Sequence, residues 1–211
     1  PEMSRGLGDV YKRQVIIYIY VTKRGVLMGL LYTVGHSQHD FEYFSNLLKN
    51  NNINYLLDVR STPYSKYAET YNREHLSKLL LEKNITYSYM GKYFGARPEN
   101  IELYNEEGYL DFEKVAQSEL FIKGMKNVIL GLNRGNNIAL MCTEKDPIDC
   151  HRAILVARAF SLSGVNVTHI LPDGKLQTQK ELDERLLDMY FPDRAQPVSY
   201  THLRAHETSQ D

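Results

Sequence analysis

Five short apolar stretches, spaced so that a helix fits between most neighbours, constrain this chain more than any other feature. Residues 30–35, 53–59, 85–90, 137–142 and 165–171 read as strands. Asp40 is placed to cap a helix to about residue 51, with Phe41, Phe44, Leu47 and Leu48 on one stripe. Asn72 is placed to cap a second to about residue 83, with Leu76, Leu79 and Leu80 inward. Asp111 or Ser118 caps a helix reaching about residue 133, where Gly135 stops it. Residues 150–163 are helical and end at Gly164, and Pro172-Asp173-Gly174 turns into a last helix, about 178–190. Residues 91–110 are aromatic and irregular. Strands alternating with helices predict an α/β class fold, a single three-layer domain around a mostly parallel five-stranded sheet.

The 211 residues carry 25 Lys/Arg and 26 Asp/Glu, a formal net charge of −1. Five of the basic and two of the acidic residues lie in 1–27, and two of each lie in 194–211. Residues 28–193 therefore keep 18 Lys/Arg against 22 Asp/Glu, an acidic balance that does not suit a dedicated polyanion binder. With 43% apolar residues the chain can bury a core, and two cysteines are too few for a disulfide scaffold. No apolar run reaches the roughly 18–20 residues of a membrane span.

The ends differ from the middle. PEMSRGLGDVYKRQ (1–14) and PVSYTHLRAHETSQD (197–211) have no structural period, and both resemble translated sequencing-adapter strings from assembled metagenomic DNA. Residues 15–27 begin with the apolar run VIIYIYV after Lys12-Arg13, but no small-residue cleavage site follows. The expectation is a natural start at Met28, translated upstream DNA before it, a domain over 28–193, and a non-native tail over 194–211.

In a parallel sheet, ligands gather beyond the C-terminal strand ends. Polar residues fall there: Gly35-His36-Ser37 after the first strand; Asp58, Arg60, Ser61 and Ser65 after the second; Cys142, Glu144 and Cys150-His151-Arg152 after the fourth; His169 and Asp173-Gly174 at the fifth. Cys150-His151-Arg152 opens a helix, whose free N–H groups and dipole favour an anion and lower a thiol pKa. Arg152 adds a cation whose planar fork suits an anion. The structural alternative is a buried Cys142 and a helix capped by Asp149. Asp58 is expected to fix its loop while Arg60 points into the cleft, or else the two pair at the surface. His36 can act as an acid–base group or bond to backbone. Nine aromatics between Tyr64 and Tyr109, interleaved with Arg73, Lys92 and Arg97, suit a pocket rim or, alternatively, base stacking.

The segments TVGHS, LLDVRSTPYSKY, LMCTEKDPIDCHR and HILPDG, in this order and spacing, resemble the bacterial domain-of-unknown-function 488 (DUF488) family over about 28–193. The resemblance maps its motif positions onto His36, Ser37, Asp58, Arg60, Ser61, Pro63, Cys142, Glu144, Pro147, Cys150, His151, Arg152, His169, Asp173 and Gly174. Where family members often carry a histidine after the Asp-Gly turn, this chain has Gln177 and Gln179. LLDVRS, IALMC and VTHILPDG also look like the strand ends of rhodanese-like domains, which implies a rhodanese-like outline. The loop between Cys142 and Arg152 departs from that pattern, because it lacks glycine and Pro147 interrupts it.

The leading functional expectation is a thiol-dependent enzyme, sulfurtransferase-like or thiol-redox, acting on an anionic small molecule or sulfur species. In it Cys142 is the nucleophile or sulfur carrier and Cys150 the resolving thiol. His36 or His151 is the proton donor, and Arg60 and Arg152 hold the anion. Ser37, Ser61, Glu144 and Asp173 line the site, while Asp58, Gly35 and Pro147 shape it. No cofactor or metal is expected in this reading, and the setting is cytoplasmic. A non-enzymatic nucleotide or single-stranded nucleic-acid module is a second reading. A metal site on Cys142, Cys150 and His151 is a third, although Cys-x7-Cys-His is not a standard zinc spacing.

Overall fold

The computed structural model describes residues 29–192 apart from Gln38. The expectations for both chain ends and for a start at Met28 lie outside the described residues.

One sheet of six strands runs in the order β3-β2-β4-β1-β5-β6. Its strands are β1 (Leu31–Gly35), β2 (Tyr55–Asp58), β3 (Thr86–Tyr89), β4 (Ile138–Cys142), β5 (Val167–Ile170) and β6 (Leu176–Thr178). The first five are mutually parallel, and only β6 runs antiparallel, against β5. The helices are α1 (Phe41–Asn50), α2 (Arg73–Glu82), α3 (Gly91–Phe94), α4 (Phe112–Gln117), α5 (Glu119–Asn133), α6 (Arg158–Leu162) and α7 (Gln179–Tyr190). A π-helical segment, Arg152–Ala157, leads directly into α6.

The period-2 alternation of the central strands separates two cores. Ile138, Leu140 and Cys142 of β4 pack with Phe121, Met125, Val128, Ile129 and Leu132 of α5. Ala139 and Met141 face the other way, onto Phe44, Leu47 and Leu48 of α1 and Leu76 and Leu80 of α2. Both faces of the sheet are thus covered, and every residue of β1 and β4 is buried. The α5 stripe recurs at helical spacing, and each of its large side chains is worth roughly 1.5–3 kcal/mol when fully buried.

The caps explain several boundaries. Asp40 accepts from the Tyr43 N–H at 2.9 Å and starts α1. Asp111 caps α4 and Ser118 caps α5, so both expected caps operate and the serine breaks one expected helix into two. Asn72 precedes α2 without a side-chain cap, because its Oδ1 accepts from the Ser65 N–H at 2.7 Å instead.

The five-strand expectation is corrected to six. The turn at Pro172-Asp173-Gly174 does not feed a helix directly. Gly174 takes a φ of +83°, and the Leu171 N–H donates to the Lys175 carbonyl at 2.8 Å, reversing the chain. Residues 176–178 then pair with β5 before Thr178 caps α7 through a capping box with Glu181.

Candidate functional site

The C-terminal ends of β1, β2 and β4 lie side by side, with Gly35 paired to Cys142 and Asp58 to Met141. Two further contacts tie β1 to β4: the His36 N–H donates to the Cys142 carbonyl and the Ser37 N–H to the Thr143 carbonyl. Ser37 takes a left-handed φ of +45° to make that turn. Gly35 is required by close approach, since a Cβ there would lie 1.9 Å from the Glu144 carbonyl oxygen.

Cys142 ends β4, and after the buried Pro147 turn the chain returns Cys150 and His151 to the same place. The Cys142 and Cys150 sulfurs and a His151 ring nitrogen lie within 4.8 Å of one another. Nδ1 of His151 is 3.8 Å from the Cys142 sulfur and 4.0 Å from that of Cys150. Nε2 of the same ring sits 3.2 Å from the Val59 carbonyl, which can only accept. The proton therefore belongs on Nε2, and the Nδ1 lone pair faces both sulfurs.

Cys150 has the more polar surroundings. Its thiol donates to Oε2 of Glu144 at 2.8 Å, and the Arg152 main-chain N–H points at its sulfur from 3.5 Å. Burial penalises the Cys150 thiolate, yet the Cys142 thiol, Arg152 and His151 together outweigh it and hold this thiol well below its ordinary value. Hydrogen bonding with Cys150, then burial, pushes the Cys142 thiol well up. Burial also opposes charge on His151, but its contact with Cys150 raises its pKa. Burial and the charge of Cys150 raise that of Glu144. Cys142 and Cys150 are 3% and 1% exposed, whereas Thr143, Glu144 and Lys145 form an exposed cover.

The two arginines are bound by the protein itself. Nε and Nη2 of Arg60 donate to Asp58 at 2.9 and 2.6 Å, and Nη2 also donates to the Tyr71 carbonyl at 2.8 Å. Nη1 donates to Nε2 of His36 at 3.3 Å, leaving one of the five guanidinium N–H groups for anything else. Arg152 is fully buried and donates to the Glu144 and Lys145 carbonyls at 2.8 and 3.4 Å. Among the described residues no carboxylate pairs with Arg152, and its Nε has no partner.

His36 is buried, with Nδ1 3.0 Å from the Ser37 carbonyl and its ring stacked on Tyr71 at 4.1 Å. Burial, then the Arg60 charge, lowers its pKa to about 4, so the ring is neutral at ordinary pH. Ser61 belongs to the neighbouring loop, where its hydroxyl accepts from the Arg97 N–H and its carbonyl from Tyr89. Asp173 is exposed, and its partner is Lys175 of its own turn. His169 is wholly buried, with Nδ1 2.7 Å from the Thr33 hydroxyl and Nε2 3.0 Å from Oε1 of Gln179. Gln179 thus bonds the motif histidine directly.

Tyr71 and Tyr87, two of the nine aromatics expected at a pocket rim, take roles that the sequence does not assign. Tyr71 stacks on His36 and supplies a carbonyl to Arg60, and Tyr87 donates its hydroxyl to Asp58 at 2.7 Å. The sequence groups them with seven other aromatics but cannot assign these contacts, because they depend on the course of an aperiodic loop.

The fold and site define an α/β domain with two cysteines and a histidine gathered at the C-terminal edge of its parallel strands. A family model described as "Domain of unknown function DUF488" matches residues 40–159, more than half of the chain, and the chain belongs to that family. Searches of curated proteins and of solved structures each returned no significant match. Among the described residues no helix is long and apolar enough to cross a membrane.

Proposed function

We propose that this domain carries out dithiol chemistry, with Cys150 as the attacking thiol and Cys142 as the resolving one. The observation that carries the reading is the convergence of both sulfurs on a single imidazole nitrogen, Nδ1 of His151. The order of the two cysteines reverses the sequence expectation. Its support is the Arg152 N–H and the Glu144 carboxylate, both of which touch Cys150. The substrate class is a small disulfide or related sulfur species, reached by displacement of the exposed 143–145 cover.

Cys150 gives its proton to the Glu144 carboxylate and its thiolate attacks one sulfur of the disulfide, forming a mixed disulfide and expelling the other half as a thiolate, which takes up that proton. Cys142 gives its proton to Nδ1 of His151 and attacks the Cys150 sulfur. The second half leaves as a thiolate and takes up that proton. The protein pair loses two electrons and the small disulfide gains them. Arg60 and Arg152 act here as supports of the strand end and the cover. Ser37 and Glu144 shape the rim, and His36 serves as a neutral neighbour. The rhodanese-like outline and a cytoplasmic setting are kept as part of this reading; a cysteine ending β4 before an arginine-bearing helix supports the former.

Glutathione disulfide is the probe, applied after chelator treatment. Wild type should lose the mass of two hydrogens and yield a cross-linked Cys142–Cys150 peptide. Cys142→Ser should retain a mixed disulfide at Cys150, and Cys150→Ser should not retain one at Cys142. Lack of both the internal cross-link and the trapped adduct overturns the proposal.

A further inference from the structure

We infer that Cys142, Cys150 and His151 form a site for one soft divalent metal ion, with Zn²⁺ the best match. The inference stands independently of the dithiol reading, although it uses the same sulfurs.

The donor set comes first. Two sulfurs and one imidazole nitrogen lie within 4.8 Å of one another, and thiolate with imidazole is a combination that selects zinc-like ions over magnesium or calcium. Bonds of about 2.3 Å to sulfur and about 2.0 Å to nitrogen place tetrahedral neighbours roughly 3.5 Å apart. The observed nitrogen–sulfur separations are 3.8 and 4.0 Å, so shifts of a few tenths of an ångström would bring this nitrogen to bonding geometry with both sulfurs, which themselves lie within 4.8 Å of each other.

The second observation is the orientation of the ring. Metal-bound histidines usually donate their other N–H to a carbonyl or carboxylate, which fixes the lone pair on the metal. His151 has this support, from the Val59 carbonyl at the end of β2. The Arg152 N–H points at the Cys150 sulfur, as an outer-shell donor to a metal-bound thiolate does.

Charge is the third. Arg152 is buried, has no carboxylate partner among the described residues, and keeps an unpartnered Nε. Two thiolates and a divalent ion sum to neutral, yet they set negative sulfur beside that cation. Binding releases the two thiol protons to solvent, so charge and atoms balance. The fourth position is open to water; the Glu144 carboxylate reaches Cys150 but is not one of the three converging donors.

The separation Cys-x7-Cys-His hid this site from spacing rules because one sulfur ends a strand and the other opens a helix. Zinc fingers place paired cysteines in one turn, whereas here the sheet and the returning loop bring them together.

The test is titration of the full chain with Co²⁺ after chelator treatment, followed by displacement with Zn²⁺. One equivalent of Co²⁺ should give a near-ultraviolet sulfur-to-cobalt charge-transfer band, and stoichiometric Zn²⁺ should abolish it. Cys142→Ser and Cys150→Ser should each lose about half of the band. Glu144→Gln should keep the band, because the three converging donors remain. A wild-type chain that shows no charge-transfer band overturns the inference whether or not the variants fold. So does a band that survives the double cysteine variant. If no metal binds but glutathione disulfide still cross-links the pair, the inference fails and the dithiol reading stands. If metal binds and no adduct or cross-link forms after its removal, the reverse holds.

Discussion

Arg60 turns back on Asp58, two positions earlier on the same strand end, and forms a buried bidentate pair with both carboxylate oxygens. Residues two apart on extended backbone share a face, so the pairing follows from local geometry. The Tyr87 hydroxyl and the Arg60 main-chain N–H satisfy Asp58 further. Removing one partner leaves the other as an unpaired buried charge. Arg60→Ala should therefore cost about 3–5 kcal/mol in urea unfolding, and Tyr87→Phe about 1–2 kcal/mol. An Arg60→Ala chain as stable as wild type would show that the pair is not the anchor of this edge.

Gly35→Ala tests the close packing under the cover. The new Cβ meets a backbone oxygen, Glu144 O at 1.9 Å, which no side-chain rotation can relieve. The 144–145 backbone must move, taking the Arg152 hydrogen bonds with it. Overpacking of this kind costs about 1–3 kcal/mol or more. The same movement should speed alkylation of Cys150 in the metal-free chain, with peptide mapping as the readout. Unchanged stability and unchanged labelling would mean that the strand end and the cover are not mechanically linked.

Arg152→Met preserves length and burial but removes the guanidinium donors. The Glu144 carbonyl then loses its 2.8 Å bond from a charged donor in a part-buried setting, a kind of bond worth about 1.5–3 kcal/mol. Amide exchange across residues 143–146 should accelerate more than exchange in α5. Uniform acceleration would point to general destabilisation.

The periodic parts of this molecule were legible in its sequence. The five parallel strands and the longer helices follow from apolar spacing and caps such as Asp40 and Ser118. β6 was not, because three residues containing Gln177 carry no readable period, and only the reversal at Gly174 brings them beside β5. Of the site, Cys142, Glu144, Cys150 and His151 were legible as residues at a strand end and a helix start. The partnerships were harder. Tyr71 and Tyr87 reach Arg60 and Asp58 through the course of the 61–72 loop and the pairing of β3, which are tertiary facts. The direction of Arg60, toward Asp58, is set by the alternation of side chains along the strand end.

Acid stability reports on the buried histidines. Burial, then the Arg152 charge, lowers the pKa of His169 from 6.5 to about 4, and the ring is held neutral between Thr33 and Gln179. In the unfolded chain the same histidine returns to its ordinary value. Between about pH 6.5 and about pH 4 the unfolded state therefore binds the proton that the folded state refuses, and stability falls as pH falls. Below about pH 4 both states are protonated and this contribution levels off. The full difference is on the order of 3 kcal/mol for His169, and His36, shifted the same way by burial and Arg60, adds to the slope in the same window. Urea unfolding at about pH 7 and about pH 4.5 should therefore show a marked loss in wild type and a smaller one in His169→Gln. His169→Gln lowers stability at neutral pH through the lost Thr33 contact, so the informative quantity is the pH slope. An identical slope in the variant would mean that His169 takes up its proton without loss of the fold.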